Sequence, residues 1–170
     1  MQILSSKTED IDLIHKLYRY AANFQKTKGT VIWTDFDRSL IQQEIYKKRQ
    51  WKIVIDNKIA SIWTITHSDP KIWGNKNSAP AIYIHRIATN PEFRGQNLVV
   101  EIVRWARKYA TKNEKKFIRM DTVGENTGLI EYYKKCGFDF LGLSKLENTY
   151  GLPAHYNNAT VCLFQMAVTN

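Results

Sequence analysis

The chain has 170 residues and a mass of 19.9 kDa, with 44% apolar and 24% charged residues, which excludes disordered, collagen-like and low-complexity classes. A chain of this length buries roughly 70% of its unfolded surface, so one core suffices without disulfides or structural metal, and a single domain over residues 1–170 is expected. The 25 Lys and Arg exceed the 16 Asp and Glu, giving +9, a surplus that attracts polyanions without saying which.

The surplus is spread along the chain, with 14 basic and 8 acidic residues in 1–90 and 11 and 8 in 91–170. Its densest run, Lys47-Lys48-Arg49, reads as the solvated end of a helix. Cys136 and Cys162 form neither a disulfide framework nor a zinc site. The N-terminus turns polar too early for a signal peptide, and no apolar run is long enough for a membrane span. A cytoplasmic protein with no metal, no membrane and no nucleic-acid partner is expected, as a monomer or homodimer.

In chain order, residues 8–27 read as a helix capped by Thr8 or Asp10, with Ile11, Ile14, Leu17, Tyr18 and Ala21 at helical spacing. A second helix is expected from Thr34–Asp37 to about Lys48. Residues 51–55 and 59–67 form a hairpin about Asp56-Asn57, and 68–80 form a loop. Residues 81–89 make a strand stopped by Asn90-Pro91. A long helix from Gly95 to about Lys112 has Leu98, Ile102, Trp105 and Ala106 on one side and Arg104, Arg107, Lys108 and Lys112 on the other. A strand over 117–122 leads to a helix capped by Asn126 or Thr127 and closed by Gly137 as a left-handed C′ residue against Phe138. Strands over 138–146 and 160–168 complete an α+β fold with a central mixed sheet.

Two segments carry chemistry. In the first, the strand at 81–89 passes through Asn90-Pro91-Glu92-Phe93-Arg94-Gly95-Gln96-Asn97-Leu98 into a helix. Such a turn leaves backbone N–H groups unpaired in the positive field of a helix N-terminus, a setting for pyrophosphate, and Arg94 adds a fixed charge. In the second, Thr122–Phe138 runs from a strand through Asn126 into Tyr133-Lys134-Lys135-Cys136-Gly137-Phe138.

Together these segments resemble the GNAT superfamily of N-acetyltransferases. Phe93-Arg94-Gly95 is similar to the family's aromatic-Arg-Gly entry into its Q/R-x-x-G-x-G/A loop, and Tyr133–Phe138 to its YxxxGF element. The resemblance covers residues 51–142 and implies a three-layer GNAT-like fold with a mostly antiparallel, twisted central sheet flanked by helices. It implies acetyl-CoA as acyl donor and direct transfer of acetyl to a primary amine on a small molecule or peptide. Arg94, Gly95, Gln96, Asn97, Leu98 and Val99 would hold the diphosphate. The backbone of Ile87, Ala88 and Thr89, with Asn126, would hold the pantetheine arm. Tyr133 would be the general acid to the departing thiolate, since a phenol is protonated at pH 7.

The pattern departs from the family at two small positions, which fall on Asn97 and Val99. Asn tolerates a left-handed backbone, whereas Val99 is expected to crowd the helix's first turn beside the diphosphate. That departure motivates an alternative, a non-catalytic ligand-binding protein of the same fold. The basic helix face motivates another, a nucleic-acid-binding protein.

The strand before the loop carries no carboxylate, so His85, expected on one face with Tyr83 and Ile87, is the candidate base. Glu92, Asp121 and His155 are alternatives, and His15 and His67 read as surface or packing residues. Cys136 reads as a buried structural thiol. Trp33 and Trp73, both expected in loops, are candidate walls of an acceptor pocket. Asp35 and Asp37 lie near the expected acceptor side or cap a helix.

Overall fold

A computed structural model describes residues 1–168. Seven strands, β1 (Gln2–Ser5), β2 (Gln50–Ile55), β3 (Lys58–Thr66), β4 (Ala81–Thr89), β5 (Phe117–Val123), β6 (Asp139–Lys145) and β7 (Thr160–Ala167), lie in one sheet in the order β1-β2-β3-β4-β5-β7-β6, the α+β arrangement expected. The chain groups into two compact units. The first comprises residues 1–65 and 84–98, the second residues 66–83 and those from 99 onward.

In the first unit, β1 (Gln2–Ser5), β2 (Gln50–Ile55) and β3 (Lys58–Thr66) pair antiparallel. Asp56 and Asn57 turn the β2–β3 hairpin with φ 48° and 61°, the left-handed pair that matches the strand twist. β1 is absent from the sequence reading: four residues are too few to display a strand period, and pairing with β2 is what defines it. β3 is buried continuously over residues 59–65, as expected of a strand covered on both faces.

Helices α1 (Ile11–Thr27) and α2 (Arg38–Tyr46) pack through Ile14, Leu17, Tyr18 and Ile41, with Phe36 from the segment between them, onto Ile59, Ile62 and Ala88. Asp37 caps α2 by accepting from the Ser39 N–H at 3.0 Å. Asp10 precedes α1 without capping it by a side-chain bond. Its carboxylate instead accepts from the Lys7 N–H at 2.7 Å and from Lys52 Nζ at 2.6 Å, because a mostly buried lysine requires a counter-ion more than the helix requires a cap.

In the second unit, β5 (Phe117–Val123), β7 (Thr160–Ala167) and β6 (Asp139–Lys145) pair antiparallel. α4 (Leu98–Lys112) turns Ile102, Val103, Ala106 and Ala110 inward and leaves Arg104, Arg107, Lys108 and Lys112 exposed. α5 (Thr127–Lys135) starts at Asn126, whose Oδ1 accepts from the Leu129 N–H at 3.0 Å. It ends as expected: Gly137 has φ 97°, and the Phe138 N–H reaches the Tyr133 carbonyl at 3.1 Å.

The expected loop at 68–80 contains a short helix, α3 (Pro70–Trp73), and a 3₁₀ turn at Gly74–Ser78. α3 turns Trp73 into the core, where it is 3% exposed and meets Tyr83 at 5.7 Å between ring centroids. Trp73 is therefore a packing residue, not a pocket wall.

Candidate active site

β4 (Ala81–Thr89) begins in the second unit and continues in the first. The expected alternation of Tyr83, His85 and Ile87 along it fails at Arg86. This residue has φ 53°, a left-handed conformation unusual for a residue with a long side chain. The pleat breaks there, and residues 85–87 are half-buried in succession. Side-chain interactions anchor the break. Arg86 Nη2 donates to Glu44 Oε1 at 3.2 Å and Thr64 Oγ1 at 3.1 Å, and the guanidinium lies 5.3 Å from the Phe36 ring centroid. Nothing in the sequence pattern signals this feature. Ile87 and Thr89 are half-buried, and Ala88 is buried with its carbonyl accepting from Ser61 Oγ at 3.1 Å.

From β4 the chain makes a 3₁₀ turn over Pro91–Phe93, nucleated by Asn90 Oδ1 accepting from the Glu92 N–H at 3.2 Å. Phe93 is buried and pins the turn, whereas Arg94, Gly95, Gln96 and Asn97 are exposed. Gly95 has φ 82° and Asn97 has φ 53°, so asparagine adopts the conformation for which glycine is preferred. Among the described residues, no acceptor takes the amides of Gly95, Gln96 or Asn97. These N–H groups stand in the turn that leads into a helix, a setting able to accept an anion. A Cβ built on Gly95 meets nothing within 4 Å, so the turn is open. Leu98 and Val99 are 5% and 9% exposed. Val99 thus turns inward, contrary to the expectation that it would crowd the open side of the turn.

Val99, Asn126 and Tyr133 belong to the second unit. Tyr133 is 8% exposed, with its ring centroid 5.2 Å from that of Phe164 and 6.2 Å from that of Phe138. Burial, reinforced by Tyr132, Cys136 and Asp121, holds its phenol well above the ordinary tyrosine range, so it stays protonated throughout neutral pH. Among the described residues, no group hydrogen-bonds its hydroxyl. Cys136 is half-buried and its thiol is pushed up, chiefly by burial, which suits a structural thiol and not a nucleophile.

Asp121, on β5, accepts from Tyr156 Oη at 2.9 Å, and its carboxylate lies within 4.8 Å of that of Asp69. Burial first, then the Asp69 charge, raises Asp121 to about 7, and burial raises Asp69 to about 6. Asp69 and Tyr156 were not singled out from sequence, because only folding brings residues 69, 121 and 156 together. His85 moves oppositely: burial, with Arg86 and Arg49, lowers it to about 3. It is a neutral imidazole at pH 7, able to accept a hydrogen bond but poorly suited to retain a proton. Glu92 is paired with Lys58 at 2.8 Å, and His155 stacks on Tyr156 with ring centroids 4.6 Å apart. His15 lies 3.3 Å from Asp35, and His67 Nε2 lies 3.3 Å from Tyr109 Oη, consistent with surface and packing roles.

These carboxyl shifts fix a sign for stability. Both folded-state values exceed the unfolded value near 3.8, so the folded state binds more protons and loses stability as pH rises between about 4 and 7. Asp121→Asn is expected to gain stability over wild type at pH 8 and little at pH 4. Urea midpoints at the two pH values check this, and an equal change at both would contradict it.

In the first unit, Trp33 and Asp35 line a cleft of about 200 Å³ with Tyr18, Arg19 and Phe36. Among the described residues, no helix is long and apolar enough to cross a membrane.

The strand order and the turn into α4 define a GNAT-type acetyltransferase fold. The family model described as "Acetyltransferase (GNAT) family" matches residues 13–138, and the chain belongs to that family. YesJ of Bacillus subtilis (strain 168), named an uncharacterized N-acetyltransferase, is 27% identical over 142 residues, covering 79% of each chain. A GNAT-family acetyltransferase structure from Listeria monocytogenes 4b F2365 superimposes with TM-score 0.78 at 23% identity, covering 98% of this chain and 94% of the other. The structure of yncA from Salmonella typhimurium, solved with its cofactor acetyl-CoA, gives TM-score 0.70 at 12% identity, covering 100% and 95%. At these identities the two structures bear on fold alone.

Proposed function

We propose that this protein is an acetyl-CoA-dependent N-acetyltransferase that moves an acetyl group to a primary amine by direct attack. The observation that carries the reading is the open turn at Arg94–Asn97. There, unpaired amides and a left-handed Gly95 and Asn97 lead into the N-terminus of α4, a donor set that fits a diphosphate. Acetyl-CoA supplies the activated acyl group as a thioester. The backbone of Ile87 and Thr89 orients the pantetheine arm. The Asn126 side-chain amide donates to that arm while its Oδ1 remains committed to the α5 cap.

Tyr133 delivers its proton to the departing sulfur, a role supported by its protonated state and by a hydroxyl with no competing partner. The acceptor must shed a proton to become nucleophilic. With His85 near 3, we move that role to Asp121, whose value near 7 is matched to neutral pH. His85 is left as a hydrogen-bond acceptor that orients. Trp33 and Asp35 offer the acceptor a ring face and a carboxylate.

Purified protein with millimolar acetyl-CoA should gain several degrees in Tm, as about 100-fold saturation adds roughly 2.7 kcal/mol. It should also release free thiol with some members of a primary-amine panel. Asp121→Asn should lower kcat and remove the acidic limb near pH 7. A Tm gain with no turnover across the panel favours the non-catalytic alternative, and the absence of both effects overturns the reading.

A further inference from the structure

Arg94 is not loose at the mouth of the diphosphate turn. Its guanidinium carbon lies 4.2 Å from the ring centroid of Phe24 on α1. That is the shortest cation–ring distance among the described residues. Phe24 is 41% exposed, so burial does not account for a phenyl ring in the last two turns of an amphipathic helix. It borders a shallow groove shared with Tyr20, Thr27, Pro91 and Arg94. Lys28 Nζ also lies 5.5 Å from the same ring. Among the described residues, no carboxylate pairs with Arg94, so its charge is uncompensated.

A guanidinium stacked by its flat face on an aromatic ring keeps its N–H edge free. That edge is what a diphosphate oxygen uses, often through two parallel bonds. An unstacked arginine must give up its rotamer freedom when the anion arrives, whereas one already held in place gives up less. We propose that Phe24 is a positioning residue. Its ring holds the Arg94 guanidinium at the turn before α4, with the N–H edge turned to the diphosphate of the acyl donor. This rests on the acetyl-CoA reading above and adds to it a residue from α1, a helix outside the loop motif.

The test compares wild type with Phe24→Leu, Phe24→Tyr, Arg94→Met and the Phe24→Leu/Arg94→Met pair. Acetyl-CoA binding is measured by calorimetry, and kcat/KM is measured with S-acetylpantetheine, a thioester donor without a diphosphate. Phe24→Leu should weaken acetyl-CoA binding about three- to fivefold, the range expected of an exposed cation–ring contact, and raise KM rather than lower kcat. Phe24→Tyr keeps the ring and should remain within about twofold of wild type. In the Arg94→Met background, Phe24→Leu should change nothing, and with S-acetylpantetheine it should have no effect.

A Phe24→Leu protein that binds acetyl-CoA like wild type overturns the proposal. So does a loss that persists without Arg94, or one of equal size with the truncated donor. Wild-type protein that binds no acetyl-CoA overturns the parent reading and this one with it, whereas tight wild-type binding with an indifferent Phe24→Leu overturns this one alone.

Discussion

Tyr133→Phe should lower kcat about 100-fold or more while leaving acetyl-CoA affinity and folding nearly unchanged. A positioned proton donor contributes on the order of 10² to 10⁴ in rate, and phenylalanine removes the proton while keeping the ring. The packing against Phe164 and Phe138 survives, and no intramolecular hydrogen bond to the hydroxyl is lost among the described residues. Because the folded environment raises the phenol, wild-type kcat should show no alkaline loss from this group through pH 10. Single-turnover thiol release and calorimetry on the same samples check both halves. A kcat within threefold of wild type would remove Tyr133 from the chemistry and leave it as a core ring.

The parts of the site that were legible from sequence are those where one residue type is nearly forced by backbone geometry. Gly137 was readable because a helix ending on a left-handed residue followed by an apolar contact has few other solutions, and φ 97° with the Phe138 N–H bond bears that out. Asn97 was readable for the same reason. The left-handed Arg86 was not, since tertiary contacts with Glu44, Thr64 and Phe36 hold a conformation that propensity disfavours. The direction of Val99 was missed because a helix's first turn has both an open and a buried side, and spacing from a motif does not choose between them.

Proton chemistry was the least legible layer. His85 was favoured because an isolated imidazole titrates near neutral pH, but burial beside Arg86 and Arg49 moves it out of that range. Asp121 carries the shift that suits a base because burial, and then the charge of Asp69, distant in sequence, raise it against the opposing hydrogen bond from Tyr156. The charge surplus sharpened in the same way. Four of its cations, Arg104, Arg107, Lys108 and Lys112, lie on the exposed face of α4, and its most specific member is Arg94, placed where a diphosphate is expected.

Arg119→Met should cost about 2–5 kcal/mol, from the buried acceptors it leaves unpaired, and lower Tm by roughly 4–20 °C for a chain of this size. Arg119, on β5, is 3% exposed, and among the described residues neutral groups alone hold its charge. Nε donates to Gln165 Oε1 at 2.8 Å, and Nη1 donates to the Lys76 carbonyl at 2.6 Å and to Tyr83 Oη at 3.0 Å. The guanidinium also lies 4.8 Å from the Trp73 ring centroid and 5.0 Å from that of Phe117. Methionine matches the volume but strands the Lys76 carbonyl and Gln165 Oε1, each at about 1–3 kcal/mol. It also frees the 74–78 turn from β5. The opposing effect is relief from burying a cation that has no carboxylate partner among the described residues. Three charge-assisted bonds and two ring faces outweigh that relief. Lysine should not restore stability, because an ammonium cannot present the planar fork that reaches Gln165 and Lys76 together. Urea unfolding of wild type, Arg119→Met and Arg119→Lys decides the matter. A methionine variant as stable as wild type would mean that desolvation cancels the whole network, and that apolar packing alone anchors the residue 66–80 segment to β5.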